Sequence, residues 1–136
     1  MDPESRRLLD VTRHALAAGI ASATADNHIG DIGAAVQKVV EEAGFSVVRE
    51  LVGHGIGVAF HEEPQVPNYG KPKRGVRLTP GLTIAIEPMV NVGKAGTRTL
   101  PQRWTVVSAD VSRSAHFEHT VAITRDGPRV LTALAA

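Results

Sequence analysis

The chain has 136 residues, of which 43% are hydrophobic and 21% charged, with a formal net charge of +1 and no cysteine. That size supports one core and a single domain over 1–136; the charge balance carries no nucleic-acid footprint, and the lack of cysteine excludes disulfides and thiolate metal sites. No apolar run reaches the roughly 18 residues of a membrane span, and the polar, acidic start Met1-Asp2-Pro3-Glu4 is unlike a signal peptide, so a cytoplasmic location is expected.

Asp2-Pro3-Glu4 reads as a helix start, with a cap, a proline in the first turn and then an acid. The helix is expected to run from about Glu4 to Ala25, with Leu9, Leu16 and Ile20 on its apolar stripe. After a break at Asp26 to Gly30, Asp31 is a candidate cap for a second helix. Its stripe, Ile32, Ala35, Val36, Val39, Val40 and Ala43, keeps helical spacing, and Gly44 suits the C-terminal cap.

At Phe45 the period changes, and the β-branched run to Val52 reads as a strand. Residues 53–81 are rich in Gly, Pro and charge and read as loop with short extended pieces. Strands are expected from Leu82 to Val90, Trp104 to Ser108 and Ala115 to Thr124. A loop from Gly93 to Pro101 separates the first two. Asp126-Gly127 reads as a hairpin turn leading into Arg129 to Thr132. Two helices followed by four or five mainly antiparallel strands give an α+β fold, the helices packed on one face of a curved sheet.

The residues with chemistry cluster in four segments. His54 lies in Gly53-His54-Gly55-Ile56-Gly57, where flanking glycines let backbone pack close to whatever the imidazole binds. His61 follows in Phe60-His61-Glu62-Glu63-Pro64. Glu87 and Glu118 lie on strand faces otherwise made of small residues, Thr83 and Ala85 in one case, Thr120 and Ala122 in the other. Neutral imidazole with carboxylates is a donor set for Mn, Fe, Co or Zn, and these residues read as part of a hydrolytic metal site. Each also has a plainer reading. The glutamates fit solvated positions, His54 a tight turn, and His61 a local pairing with Glu62 or Glu63. His116 and His119 read as structural or surface residues, Glu62-Glu63 as a solvated pair, and the basic residues Lys71 to Arg77 as a solvated loop without interleaved aromatics.

Taken together, the four segments, with Ile86-Glu87-Pro88-Met89-Val90 and Phe117-Glu118-His119-Thr120 as the strand motifs, follow the order and approximate spacing of type I methionine aminopeptidases. Gly33-Ala34-Ala35-Val36-Gln37 and Gly44-Phe45-Ser46-Val47-Val48-Arg49-Glu50 match as well, so the resemblance covers almost the whole chain. Creatinase and proline-peptidase relatives resemble the His54 and Glu118 regions, but Glu87-Pro88-Met89-Val90-Asn91 looks more like the methionine enzymes.

The resemblance implies half of a pita-bread fold, in which two pseudo-symmetric α+β halves clasp two divalent metal ions held by two aspartates, a histidine and two glutamates. By motif, His54, Glu87 and Glu118 match metal ligands, with Glu118 the bridging one. His61 matches the histidine that contacts the scissile amide; Phe60 and Trp104 match side chains near the methionine pocket. The implied reaction removes an N-terminal methionine from a polypeptide or nascent chain by metal-activated water, with Glu87 relaying a proton to the leaving amine. The chain departs from the family in one large respect. Its aspartates, Asp2, Asp10, Asp26, Asp31, Asp110 and Asp126, include no strand-borne pair. It therefore resembles a C-terminal half, with the site expected to be completed by a complementary N-terminal half or by a homodimer. The alternative expectation is a non-catalytic metal-binding or assembly module.

Overall fold

The computed structural model describes residues 2–93, 97–99, 106–108 and 113–133. Helix α1 spans Pro3–Ala21. Asp2 caps it by accepting the Ser5 N–H at 2.9 Å, proline occupies the first turn, and Glu4 complements the positive end of the helix dipole. The helix ends four residues before the expected Ala25. Ser22 and Ala23 still donate to helix carbonyls, but the Ser22 carbonyl is taken by the Asn27 side chain, which turns the chain away. Leu8, Thr12, Ala15, Leu16 and Gly19 form its buried stripe.

Helix α2 spans Ile29–Glu42 and begins before Asp31, not after it. His28 holds the cap position, and Asp31, in the first turn, reaches back to accept the His28 N–H at 2.7 Å. Gly44, with φ of +81°, takes the left-handed position beyond the C-terminus as expected. The buried side is Ile29, Ile32, Gly33, Val36 and Val40.

Ten short strands follow among the described residues. They are β1 (Ser46–Val47), β2 (Gly53–Gly55), β3 (Glu62–Val66), β4 (Thr83–Ile86) and β5 (Met89–Asn91), then β6 (Thr97–Thr99), β7 (Val106–Ser108), β8 (Ser114–His116), β9 (His119–Thr124) and β10 (Gly127–Val130). Every pairing among them is antiparallel. The single expected sheet is divided: a five-stranded sheet in the order β10-β9-β4-β2-β3, a three-stranded sheet β1-β5-β8, and a ribbon β6-β7. The expected strand from Phe45 to Val52 shrinks to two paired residues, and the expected 53–81 loop contains β2 and β3. Part of the expected 93–101 loop is β6, paired with β7. The hairpin turn is Arg125-Asp126, since Gly127 already pairs with Thr124.

Both long expected strands are interrupted. The first breaks at Glu87-Pro88, between β4 and β5; the second breaks at Phe117-Glu118, between β8 and β9. At these breaks the chain passes from one sheet to the other. Pro88 lacks an N–H for the ladder, so a break at that point costs no donor.

One face of the five-stranded sheet packs on the helices. Val66, Ile84, Ile86, Val121 and Ile123 meet Leu16, Ile29 and Ile32, and a second cluster joins Leu8, Val36 and Val40 to Phe45, Val47 and Val90. Burying each such aliphatic side chain contributes about 1.5–3 kcal/mol. The opposite face is the one that carries the glutamates.

Candidate metal centre

The pairing places the site. His54 on β2 stands opposite Ala85 of β4 and Gln65 of β3, and Ala85 stands opposite Thr120 of β9. Directly paired residues share a face, so His54, Ala85 and Thr120 point away from the helices. Continuing two residues along each strand brings Glu87 and Glu118 to the same side. The small residues Ala85 and Thr120 leave the space between the imidazole and the carboxylates.

The glycines beside His54 answer to close packing. A Cβ at Gly53 would lie 2.1 Å from the Ala85 carbonyl oxygen, and one at Gly55 would lie 2.3 Å from that of Glu63. Only glycine lets β2 fit between β4 and β3 with His54 buried, 8% exposed, under the open face.

His54, Glu87 and Glu118 each offer a donor atom, and these atoms lie within 4.8 Å of one another. No other such group of three occurs among the described residues. His54 Nδ1 is 3.0 Å from the Gly55 carbonyl oxygen, which fits Nδ1–H donating there and leaves the Nε2 lone pair free. Nε2 is 3.4 Å from Glu87 Oε1. Two donors each about 2.1 Å from one ion are about 3.0–3.4 Å apart in octahedral to tetrahedral geometry, so this pair has the spacing of ligands to a shared divalent ion. The donor set therefore fits a metal.

His61 lies over His54, ring centroids 4.0 Å apart, and Phe60 stands 5.6 Å from His54 and edge-on to His61. Phe60 is 67% exposed, an uncovered aromatic at the rim. The loop that carries them is closed by Glu62, whose carboxylate accepts the Ala59 N–H at 3.3 Å; Glu62 and Glu63 are both exposed, as expected of a solvated pair. Trp104 lies outside the described residues.

Two neighbours escaped the sequence reading. His116, read as a surface or structural residue, has Nε2 3.4 Å from Glu87 Oε2. That contact with the carboxylate raises the His116 imidazole above its ordinary pKa, partial burial opposing the shift. Its position two residues before Glu118, hence on the same strand face, was the available signal. Asn68 is fully buried and its Nδ2 lies 3.3 Å from the Glu87 carbonyl oxygen and 3.5 Å from that of Leu51. Nothing in the local sequence marks Asn68, because its partners are 17 and 19 residues away.

A histidine on β2 and two glutamates at the points where the chain changes sheets form a candidate metal centre. Residues 1–125 match the model of metallopeptidase family M24, and the chain belongs to that family. It is 50% identical over 129 residues to a methionine aminopeptidase of Clostridium perfringens and 49% identical over 129 residues to methionine aminopeptidase 1 of Bacillus subtilis. In both cases the match covers 95% of this chain and 52% of the relative. The crystal structure of methionine aminopeptidase from Thermotoga maritima superposes with a TM-score of 0.95 at 44% identity, covering 98% of this chain and 54% of that one. The chain spans about half the length of the relatives it matches, and its architecture is about half of their pita-bread fold. No helix among the described residues is long and apolar enough to cross a membrane.

Proposed function

We propose that the chain is the C-terminal half of a methionine aminopeptidase-type metallopeptidase, and that a second chain completes its site for removal of N-terminal methionine from polypeptides in the cytoplasm. The observation that carries this reading is the convergence of His54, Glu87 and Glu118 within 4.8 Å on the open face of the sheet. In the proposal His54 Nε2, Glu87 and Glu118 would hold divalent ions, two per completed site, drawn from Co, Mn, Fe or Zn, with Glu118 the ligand that would be shared between them. Bound ions of this kind acidify water and polarise a peptide carbonyl. Glu87 takes and delivers the proton to the leaving amine. His61, its ring tilted against that of His54, contacts the scissile amide of the substrate, and Phe60 with Trp104 borders the methionine side chain. The exposure of Phe60 at the rim supports an apolar neighbour there, either the methionine or the completing chain.

Three donors hold a dication less tightly than five, because fewer negative groups offset its charge. Completion comes from a complementary N-terminal half or from a second copy of this chain. Sedimentation with metal and with chelator separates the cases: association that requires metal supports a shared site, whereas a chain monomeric in both conditions needs the complementary half. The test of function is release of methionine from Met-Ala peptides with added Co or Mn, by the chain alone and by the chain with its completing partner. Release only in the completed assembly is expected; no release in either sinks the peptidase reading. One observation favours a second reading, a metal-binding module without peptidase activity: the donor cluster contains no aspartate among the described residues.

A further inference from the structure

We infer that His116 is a positioning residue for Glu87, occupying its Oε2 so that Oε1 alone is presented beside His54 Nε2. The inference rests on the metal-binding reading of His54, Glu87 and Glu118 given above. The two oxygens of Glu87 have different neighbours: Oε1 is 3.4 Å from His54 Nε2, and Oε2 is 3.4 Å from His116 Nε2. The carboxylate therefore lies between two imidazoles on two different sheets, the Nε2 lone pair of His54 on the five-stranded one beside Oε1 and His116 on the three-stranded one at Oε2.

The His116 contact matters at this position. Glu87 sits between β4 and β5, where no ladder pairing fixes its backbone, and the buried Asn68 amide lies against its carbonyl instead. A free glutamate side chain rotates about three torsions and binds a dication through one oxygen or both. A donor on Oε2 removes that choice, which is how hydrogen-bonded neighbours orient the ligands of metal sites. His116 itself is not one of the three residues whose donor atoms cluster within 4.8 Å. Its side chain is 41% exposed, so it supports the site from the rim without being part of the core.

The experiment is a Co(II) titration of the parent chain, His116→Ala and His116→Gln, followed by heat and by the visible absorption of the bound ion, with thermal unfolding of each variant as a control on folding. His116→Ala is expected to weaken Co(II) binding about tenfold to a hundredfold and to alter the visible band as Glu87 becomes free to chelate. His116→Gln, whose amide restores an N–H donor, is expected to recover most of the affinity and the parent band. Equal affinity and an unchanged band in His116→Ala overturn the positioning role while leaving the metal site intact. Loss of Co(II) binding in both variants, each still folded, overturns it in favour of direct ligation. No Co(II) bound by the parent removes the metal-site reading itself, and the inference with it.

Discussion

Glu87 and Glu118 stand opposite each other across a gap in one continuous antiparallel register. Ile86 pairs with His119 before the gap and Met89 pairs with His116 after it. Counting inward one step from the first pair sets Glu87 against Glu118, and one step from the second sets Pro88 against Phe117. The Phe117 N–H still reaches the Pro88 carbonyl at 3.3 Å. Two carboxylates placed side by side repel unless a cation or proton lies between them, so the break in the ladder and the need for a counter-charge coincide at one point.

From this follows the first expectation. Glu118→Ala leaves the fold intact, because Glu118 is exposed, but removes one of three donors. Titration calorimetry should find metal binding weakened far more than tenfold, each factor of ten corresponding to about 1.4 kcal/mol. Metal supplied at about 100 times its dissociation constant should stabilise the parent by about 2.7 kcal/mol and the variant by much less. A variant that binds like the parent contradicts the role given to Glu118.

Gly55→Ala should destabilise the protein by about 3 kcal/mol, at the upper end of ordinary overpacking, because the new Cβ meets a backbone carbonyl that cannot swing aside. Gly44→Ala is the comparison: its Cβ meets nothing within 4 Å, and only the left-handed φ of +81° opposes it, at about 1 kcal/mol. Urea unfolding of the two variants should rank them in that order. The reverse order would show that β2 has room that the geometry denies it.

Asn68→Ala should cost about 2 kcal/mol, since the carbonyls of Leu51 and Glu87 lose their buried donor. It should also weaken metal binding, although Asn68 touches no metal donor atom. Unchanged affinity in a destabilised variant would limit Asn68 to a packing role.

The pH dependence has a defined sign at the start of α1. The Ser5 N–H, with Arg113 second, lowers the Asp2 carboxyl from 3.8 to about 2. A carboxyl with a depressed folded pKa contributes stability that is complete above its unfolded value and is lost as pH falls through the folded one. The parent should therefore lose urea resistance between pH 3.8 and about 2, and Asp2→Asn, which still caps the helix but does not titrate, should lose less over that range. Parallel curves would mean that other groups dominate acid unfolding.

Much of the architecture is legible in the residues. The stripe from Ile32 to Val40 specifies α2, and the alternation of Ile84 and Ile86 with Ala85 and Glu87 assigns the faces of β4 correctly. The meeting of His54, Glu87 and Glu118 follows from motif order, since no local pattern links residues that far apart. What the sequence hides is long-range. The run from Phe45 to Val52 has strand composition, but only Ser46 and Val47 find a partner, Asn91 and Val90. The breaks at Glu87-Pro88 and Phe117-Glu118 arise because each strand must serve two sheets, a requirement absent from either segment alone. Asp31 has the chemistry of a cap yet serves the helix from inside its first turn. His116 is exposed, as expected, but its contact with Glu87 is not legible, because Glu87 lies in a distant segment between β4 and β5.

The most direct test of the account is X-ray absorption at the zinc edge of the zinc-loaded chain. One imidazole nitrogen at about 2.0–2.1 Å with carboxylate oxygens at about 2.0–2.2 Å is predicted, the imidazole signal disappearing in His54→Ala. A first shell without imidazole, or a spectrum unchanged by His54→Ala, would contradict the assignment of the centre.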